Sequence, residues 1–584
     1  MSLNVIKSIK SGFLTMILFA LAISNNVETV DNTFLFCLKH EHQPLEIFRS
    51  GSGISVDNAA LNSFFDTYQI INIEPWIPGA TELDKDGEIY LNRIYRVYLS
   101  ENSRSSMIAA KEDITQFTFI HSSEFEMIRK PIYQPNDPNY DQQCSLPAVK
   151  ADLAWDFWDI ASELMPGDRH VLLATVDTGV DITHPDLQHN IWINQNEIPS
   201  SLFSTVDSDN NNYVTATEVL NYLTSNNMDT NNDGAINLRD ALTSSSQFTD
   251  NQDNDGDGFT DDIVGWDHSG YSGADDNDPY PRENVQADGT WAHGTHVSGI
   301  LSATSGNNLG IASTAFNASI IAVKCSRENQ PTEPYVNDGY AGITYAAKAG
   351  FYAGTFTIIN CSWGGGGYNS YEQTTINNAH NTWGAVIVAA AGNGSNSGGE
   401  ENSAHYPSSY TNVISVCALG CSGSWGHWAT YHSTIDIGGP GEGILSTIIG
   451  TGYASWDGSS MASPNVASCI GLLQSYYPDW DNVLLEETII ATADPFIYEI
   501  NDEEYLQGNL GSGMVDVHKA IGAINFPYLY YYSHSLLNIA GDGDGVLNPG
   551  ESSQLRVTIG NADGWTTATE VTAILTTTNP AVTI

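Results

Sequence analysis

Three short islands carry residue types suited to acid–base and nucleophilic chemistry. The first, Val176-Asp-Thr-Gly-Val-Asp-Ile-Thr-His-Pro-Asp-Leu187, places Asp177 directly after an apolar run, at the end of the strand that this run predicts. The second, His293-Gly-Thr-His-Val-Ser-Gly299, leads from a histidine into an apolar helical pattern. The third, Gly458-Ser-Ser-Met-Ala-Ser-Pro464, opens a helix on a serine, where the N-terminal amides favour developing negative charge. A serine hydroxyl attacks poorly near neutral pH unless a base removes its proton. An imidazole supplies such a base, and a carboxylate can orient it. Each island alone also reads as something plainer: a turn, a helix start, a cap.

A second kind of chemistry is written between the first two islands. Asp207, Asp209, Asn211, Tyr213 and Glu218 fall at positions 1, 3, 5, 7 and 12 of a calcium loop, and Asp229, Asn231, Asp233, Ala235 and Asp240 repeat the spacing, with Gly234 at the sharp turn. Asn212 replaces the usual glycine in the first loop, and Asp240 replaces the longer glutamate in the second. Asp253, Asp255 and Asp257, followed by Asp261 and Asp262, form a third acidic loop. Calcium takes oxygen ligands at flexible distances, so short carboxylates and amides in alternation suit it. The alternative is a solvated polar insertion. Asp542, Asp544 and Asn548 read as a β-turn rather than a further loop.

The elements that must position these residues are short and apolar. Val171–Val176, Ile320–Val323, Thr357–Ile359 and Ala385–Ala389 lack clean alternation, as buried parallel strands do, and helical stretches separate several of them. An α/β layered domain follows, with sites at the carboxyl ends of its strands. Residues 201–265 interrupt it as the acidic insertion, the alternating stretch Ile89–Leu99 predicts a strand upstream, and 528–584 reads as part of a β-sandwich. The chain has 584 residues, 41% of them apolar, enough for a sizeable core. Its net charge of −49 excludes nucleic acid and anionic membranes as partners. Lys7 and Lys10 before the apolar run Gly12–Ile23, with small residues at Ala22 and Ser24, predict a signal peptide over 1–24, hence a secreted or cell-surface protein with no other membrane segment. Seven cysteines are too few for a disulfide scaffold; Cys417 and Cys421 are the nearest pair, and Cys361 and Cys469 read as buried thiols.

Taken together in the order Asp, His, Ser, the islands resemble the subtilisin-like serine peptidases, the subtilases, over roughly residues 85–525. The resemblance implies a subtilisin-like layered fold with a mainly parallel central sheet flanked by helices, a catalytic domain over 136–525, and an N-terminal α+β propeptide over 25–135 that inhibits the enzyme until it is cut between Ile128 and Asn139. It assigns Ser460 as nucleophile, His293 as base, Asp177 as its partner, and Asn393, in Ala389-Ala-Ala-Gly-Asn393, as oxyanion donor. Ser362, Trp363 and Gly364 match the segment that pairs with extended substrate, and the absence of a charged residue in the matched segments implies an apolar preference. Asp186 and Asn308 match structural calcium positions. Ser459 stands where the family has threonine, and Asn465 where many relatives have histidine; neither alters the chemistry. The resulting expectation is a monomeric, calcium-stabilised serine endopeptidase with polypeptide substrates and no organic cofactor. A catalytically silent binding scaffold and an aminopeptidase are the rival readings.

Overall fold

The computed structural model describes residues 15–19, 29–50, 53–100, 104–127, 133–162, 164–269, 274–330, 334–395, 402–523, 529–540, 552–561 and 572–576. They form two compact units, one of residues 1–131 with 569–584, the other of 132–568.

The larger unit is built on strands β1 (Leu172–Asp177), β2 (Gly265–Asp267), β3 (Ser319–Lys324), β4 (Thr357–Cys361), β5 (Val386–Ala390), β6 (Ile414–Leu419) and β7 (Ile437–Pro440), with helices α1 (His293–Ser302), α2 (Gly339–Tyr352), α3 (Ser370–Asn381) and α4 (Ser459–Tyr476). The seven strands pair in parallel in the order β2-β3-β1-β4-β5-β6-β7. Alternate residues of one strand face opposite sides. Leu173 joins Val297 and Leu301 of α1 and Val466 and Ile470 of α4 in one core, while Leu172, Ala174 and Val176 join Ile343 and Ala346 of α2 and Ile376 of α3 in the other. Both faces are therefore apolar, which is why the strands read as unbroken hydrophobic runs. β1 lies centrally, and successive connections run to opposite sides of it. Its carboxyl end, occupied by Asp177, is thus the crevice where open α/β sheets place their sites.

The acidic insertion is not merely a solvated loop. Leu202, Val206, Val219, Leu223, Leu238 and Phe248 form a core continuous with Val180, Leu187 and Ile320 of the sheet domain. Cys144 and Cys421 form a disulfide across 277 residues, so Cys421 does not pair with Cys417; Cys37, Cys325, Cys361, Cys417 and Cys469 are buried free thiols. Strand Leu529–Ala540 pairs antiparallel with Ser552–Asn561. Of the rest of the expected sandwich only Thr572–Thr576 is described; Asp542, Asp544 and Asn548 lie outside the described residues.

The smaller unit has a four-stranded antiparallel sheet in the order Ile70–Pro75, Ile94–Leu99, Thr29–Leu38, Ile120–Met127, with helices Ala59–Thr67 and Arg104–Ile114. Tyr95, Val97 and Leu99 alternate inward against Phe34, Phe36 and Leu61. The strand expected over Ile89–Leu99 is interrupted by a 3₁₀ turn at Leu91–Arg93, where Arg93 donates to the His42 carbonyl at 2.7 Å and to Glu82 at 2.9 Å. Of the expected signal segment only Thr15–Phe19 is described, as a strand paired with Thr572–Thr576.

Candidate active site

Asp177 ends β1 and is fully buried. Its Oδ1 accepts from the Thr178 amide at 2.7 Å and meets Nδ1 of His293, the first residue of α1, at 2.8 Å. Oδ2 is buried without a partner. The His293 side chain is 26% exposed, so its outer face is open to a substrate. Burial alone would lower the imidazole's titration, but the charge of Asp177 and the hydrogen bond outweigh it and hold the ring above its ordinary 6.5. His296, one turn along, is a different case. Burial pushes it down to about 3, its Nε2 donates to the Ala454 carbonyl at 3.0 Å, and its ring stacks on Trp456 with centroids 4.3 Å apart. It is a neutral packing residue and does not compete as a base.

Ser460 sits in the first turn of α4, where its amide has no intrahelical acceptor. Its hydroxyl donates to the Ser362 carbonyl at 3.0 Å rather than to His293. The reverse link also exists: the Ser362 hydroxyl donates to the Ser460 carbonyl at 2.7 Å. Pro464 explains why that carbonyl is available, since it lacks the amide that would close the helical bond four residues back. Asn393 Oδ1 accepts from the Ser459 amide at 2.7 Å and the Ser459 hydroxyl at 2.8 Å. With its oxygen fully engaged, the carboxamide presents its Nδ2 donor outward on the side of Gly458, where an added Cβ would lie 3.4 Å away. Ser459 keeps the hydroxyl for this lock, and the Gly392 amide completes it at 3.1 Å.

The segment after β4 divides its duties. Trp363 turns its indole inward, donating to the Val176 carbonyl at 2.7 Å beside Asp177 and packing on the core under α2. Gly364 and the following glycines are exposed, although the Gly365 amide is already spent on the Tyr406 carbonyl at 3.0 Å. The side chain of Trp363 therefore braces β1.

The acidic loops differ from one another. Oxygens of Asp207, Asp209 and Glu218 lie within 4.8 Å of one another in the first loop, and Asn211 packs among them, its amide donating to Asp209 at 3.0 Å. The second loop does not gather its carboxylates so closely. Asp240, a methylene shorter than glutamate, spends its oxygens on the amides of Thr230, Asn231 and Asn237, while Asp229 accepts from Gly234, and Asn231 from Asp233. In the third, Asp253 and Asp255 converge with Glu197, and Asp255 and Asp257 with Asp262. Glu197 has no spacing relation to the loop, so only the fold reveals it; Asp262 is legible only as one of an acidic pair. Burial pushes Glu197 and Asp257 up to about 7 and Asp262 well above the carboxylate range. Asp257 is 1% exposed, and its Oδ2 has no partner. Asp186 is contacted by Asn307, at 2.9 Å, and not by the neighbouring Asn308, whose amide donates to Asn136. The Ile311 amide and Tyr453 hydroxyl also reach Asp186, and burial raises it to about 6.

The model of the subtilase family matches residues 168–517, a stretch that contains all four of Asp177, His293, Asn393 and Ser460. The chain belongs to the subtilase family. It is a serine-type endopeptidase by that membership. Thermitase of Thermoactinomyces vulgaris is 38% identical over 233 residues, which cover 40% of this chain and 74% of thermitase. The extracellular protease of Xanthomonas campestris is 31% identical over 41% of each chain. The extracellular basic protease of Dichelobacter nodosus is 28% identical over 69% of this chain and 58% of its own. Among the described residues, no helix of this subtilase is long and apolar enough to cross a membrane.

Proposed function

We propose that this subtilase is an exported, calcium-stabilised endopeptidase, made as a precursor and cutting peptide bonds through an acyl-enzyme on Ser460. The observation that carries this reading is the 2.8 Å contact between Asp177 and His293, in a domain whose helix α4 carries Ser460 in its first turn.

Peptide lies along the segment Ser362–Gly364, bound as an added strand. The Ser460 hydroxyl swings from the Ser362 carbonyl to His293, whose Nε2 takes its proton as Oγ attacks the carbonyl carbon. Asp177 holds the tautomer with hydrogen on Nδ1 and stabilises the imidazolium. Asn393 Nδ2 and the Ser460 amide receive the oxyanion. As the C–N bond breaks, His293 returns the proton to the leaving amine, leaving the acyl group on Oγ. Water, deprotonated by the same imidazole, then cleaves the ester and frees the serine.

Glu197, Asp253, Asp255, Asp257 and Asp262 would hold one calcium, and Asp207, Asp209, Asn211 and Glu218 another; the unpartnered Asp257 oxygen fits a cation. The ion supplies the positive charge that lets these buried carboxylates ionise. The loop Asp229, Asn231, Asp233 and Asp240, and Asp186, are further calcium positions in this reading. Export is supported by the basic, then apolar, N-terminus and by a disulfide, a bond of oxidising compartments. Residues 25–135 act as the inhibitory propeptide. The test is to purify the wild type and Ser460→Ala with and without calcium and sequence their N-termini. The wild type with calcium should begin between Ile128 and Asn139, and Ser460→Ala should keep its upstream segment. Equal processing of both proteins would refute self-maturation.

A further inference from the structure

The segment leading into β1 and the first acidic loop face each other across a cavity of about 520 Å³, where Arg169 and His170 stand opposite Asn211, Asn212 and Tyr213. The six residues of β1 separate this cavity from Asp177, at the other end of the strand. Arg169 is pinned in place. Its Nη1 donates to Asn190 Oδ1 at 2.6 Å, and the Asn190 carboxamide is itself held by the carbonyls of Ser302 and Phe316, at 3.0 and 3.1 Å. The Arg169 carbonyl accepts from the hydroxyls of Tyr213 at 3.1 Å and Ser319 at 2.7 Å, so the backbone is fixed as well.

What this guanidinium lacks is a counter-charge. The chain has 69 acidic residues, yet among the described residues Arg169 makes no ion pair, and its bond to Asn190 is the one hydrogen bond of its head group. A guanidinium offers about five N–H donors, so most are unspent. None of its nitrogens is both buried and unpartnered, which leaves the free donors accessible. Burial pulls its titration below the ordinary 12.5, a cost that a nearby anion would offset. Asn212 spends its backbone amide on Asp207 at 3.1 Å, while its carboxamide makes no hydrogen bond among the described residues. Asp168, the one carboxylate among the described lining residues, already accepts from the His170 amide at 2.9 Å and meets its Nδ1 at 2.8 Å. An arginine fork matches two oxygens of a carboxylate or a phosphate. We propose that this cavity binds a small oxyanionic compound, a carboxylate or a phosphate, through the Arg169 guanidinium. A cavity of this size admits an organic molecule and not only a bare ion. The occupant joins the acidic insertion to the strand that carries Asp177, so it stabilises the fold and takes no part in the chemistry.

The test is isothermal titration of the full chain, carrying Ser460→Ala to prevent self-digestion, at constant calcium and ionic strength. Succinate probes for carboxylates, and sulfate stands in for phosphates without forming calcium phosphate. At least one of them should bind at a single site per chain, succinate alone marking a carboxylate ligand and sulfate alone a phosphate. Arg169→Gln should weaken that binding at least about tenfold, because charge-assisted, bidentate hydrogen bonds are the strong ones. His170→Glu sets a carboxylate beside the guanidinium without touching its bond to Asn190, and should abolish binding. Failure of both anions to bind saturably overturns the proposal, as does equal affinity with and without Arg169→Gln. Should Arg169→Gln not fold, His170→Glu decides, and undiminished binding there overturns the proposal.

Discussion

The Asp177 carboxylate, cut off from solvent and bonded to His293, sets how the imidazole titrates. His293 must be neutral to take a proton, so kcat/KM should rise with pH along an acid limb centred above 6.5. Asp177→Asn should move that limb downward and cut kcat by about 10⁴, a figure known from the trypsin relay and not deduced from this geometry. Stability runs the opposite way with pH. A histidine raised by its partner stabilises the fold fully below its unfolded value, and that contribution fades as pH climbs through the raised one. Asn393→Ala should lower kcat about 10²–10³-fold with little change in KM, the magnitude established for a subtilisin donor, as steady-state kinetics would report. Asp177, His293 and Ser460 are legible in sequence because each sits at an element boundary within a distinctive motif. Glu197 is not, because its surroundings come from a segment far away in the chain, and no local spacing marks it.

At the scale of elements, burial on both faces made β1 and β3–β5 readable as apolar runs. The insertion departs from expectation in one respect, since Leu202, Leu238 and Phe248 are scattered among Asp and Asn and show no period, yet converge into a core. The disulfide was beyond reach of sequence, with its halves in unrelated segments. Converting Cys144 and Cys421 to serine should cost about 2–5 kcal/mol, read from denaturant midpoints, because the bond closes a very long loop. Calcium binding to the insertion should stabilise the fold by about 2.7 kcal/mol per site at a hundredfold excess over Kd. Chelation should therefore lower the melting temperature, and Asp257→Asn should blunt the response to restored calcium. A melting temperature indifferent to chelator would show that no metal supports the fold.

For the whole molecule, the net charge of −49 governs encounters at long range. Such a field attracts cationic chains and repels acidic ones over a distance set by salt. Raising ionic strength should lower kcat/KM for lysine-rich protein substrates and raise it for acidic ones, while small neutral peptides change little. Cut sites within each substrate should stay the same, because the choice of residue is made by short contacts at the pocket. The two compact units divide at residue 131, where the polar, proline-rich stretch Pro131–Pro147 begins.

Everything turns on one hydroxyl made reactive by one imidazole. A fluorophosphonate probe followed by peptide mass spectrometry measures that directly. A single adduct, on Ser460, is expected in the processed wild type, and none in His293→Ala or Ser460→Ala. An adduct on a different serine, or labelling that survives loss of His293, would contradict the mechanism.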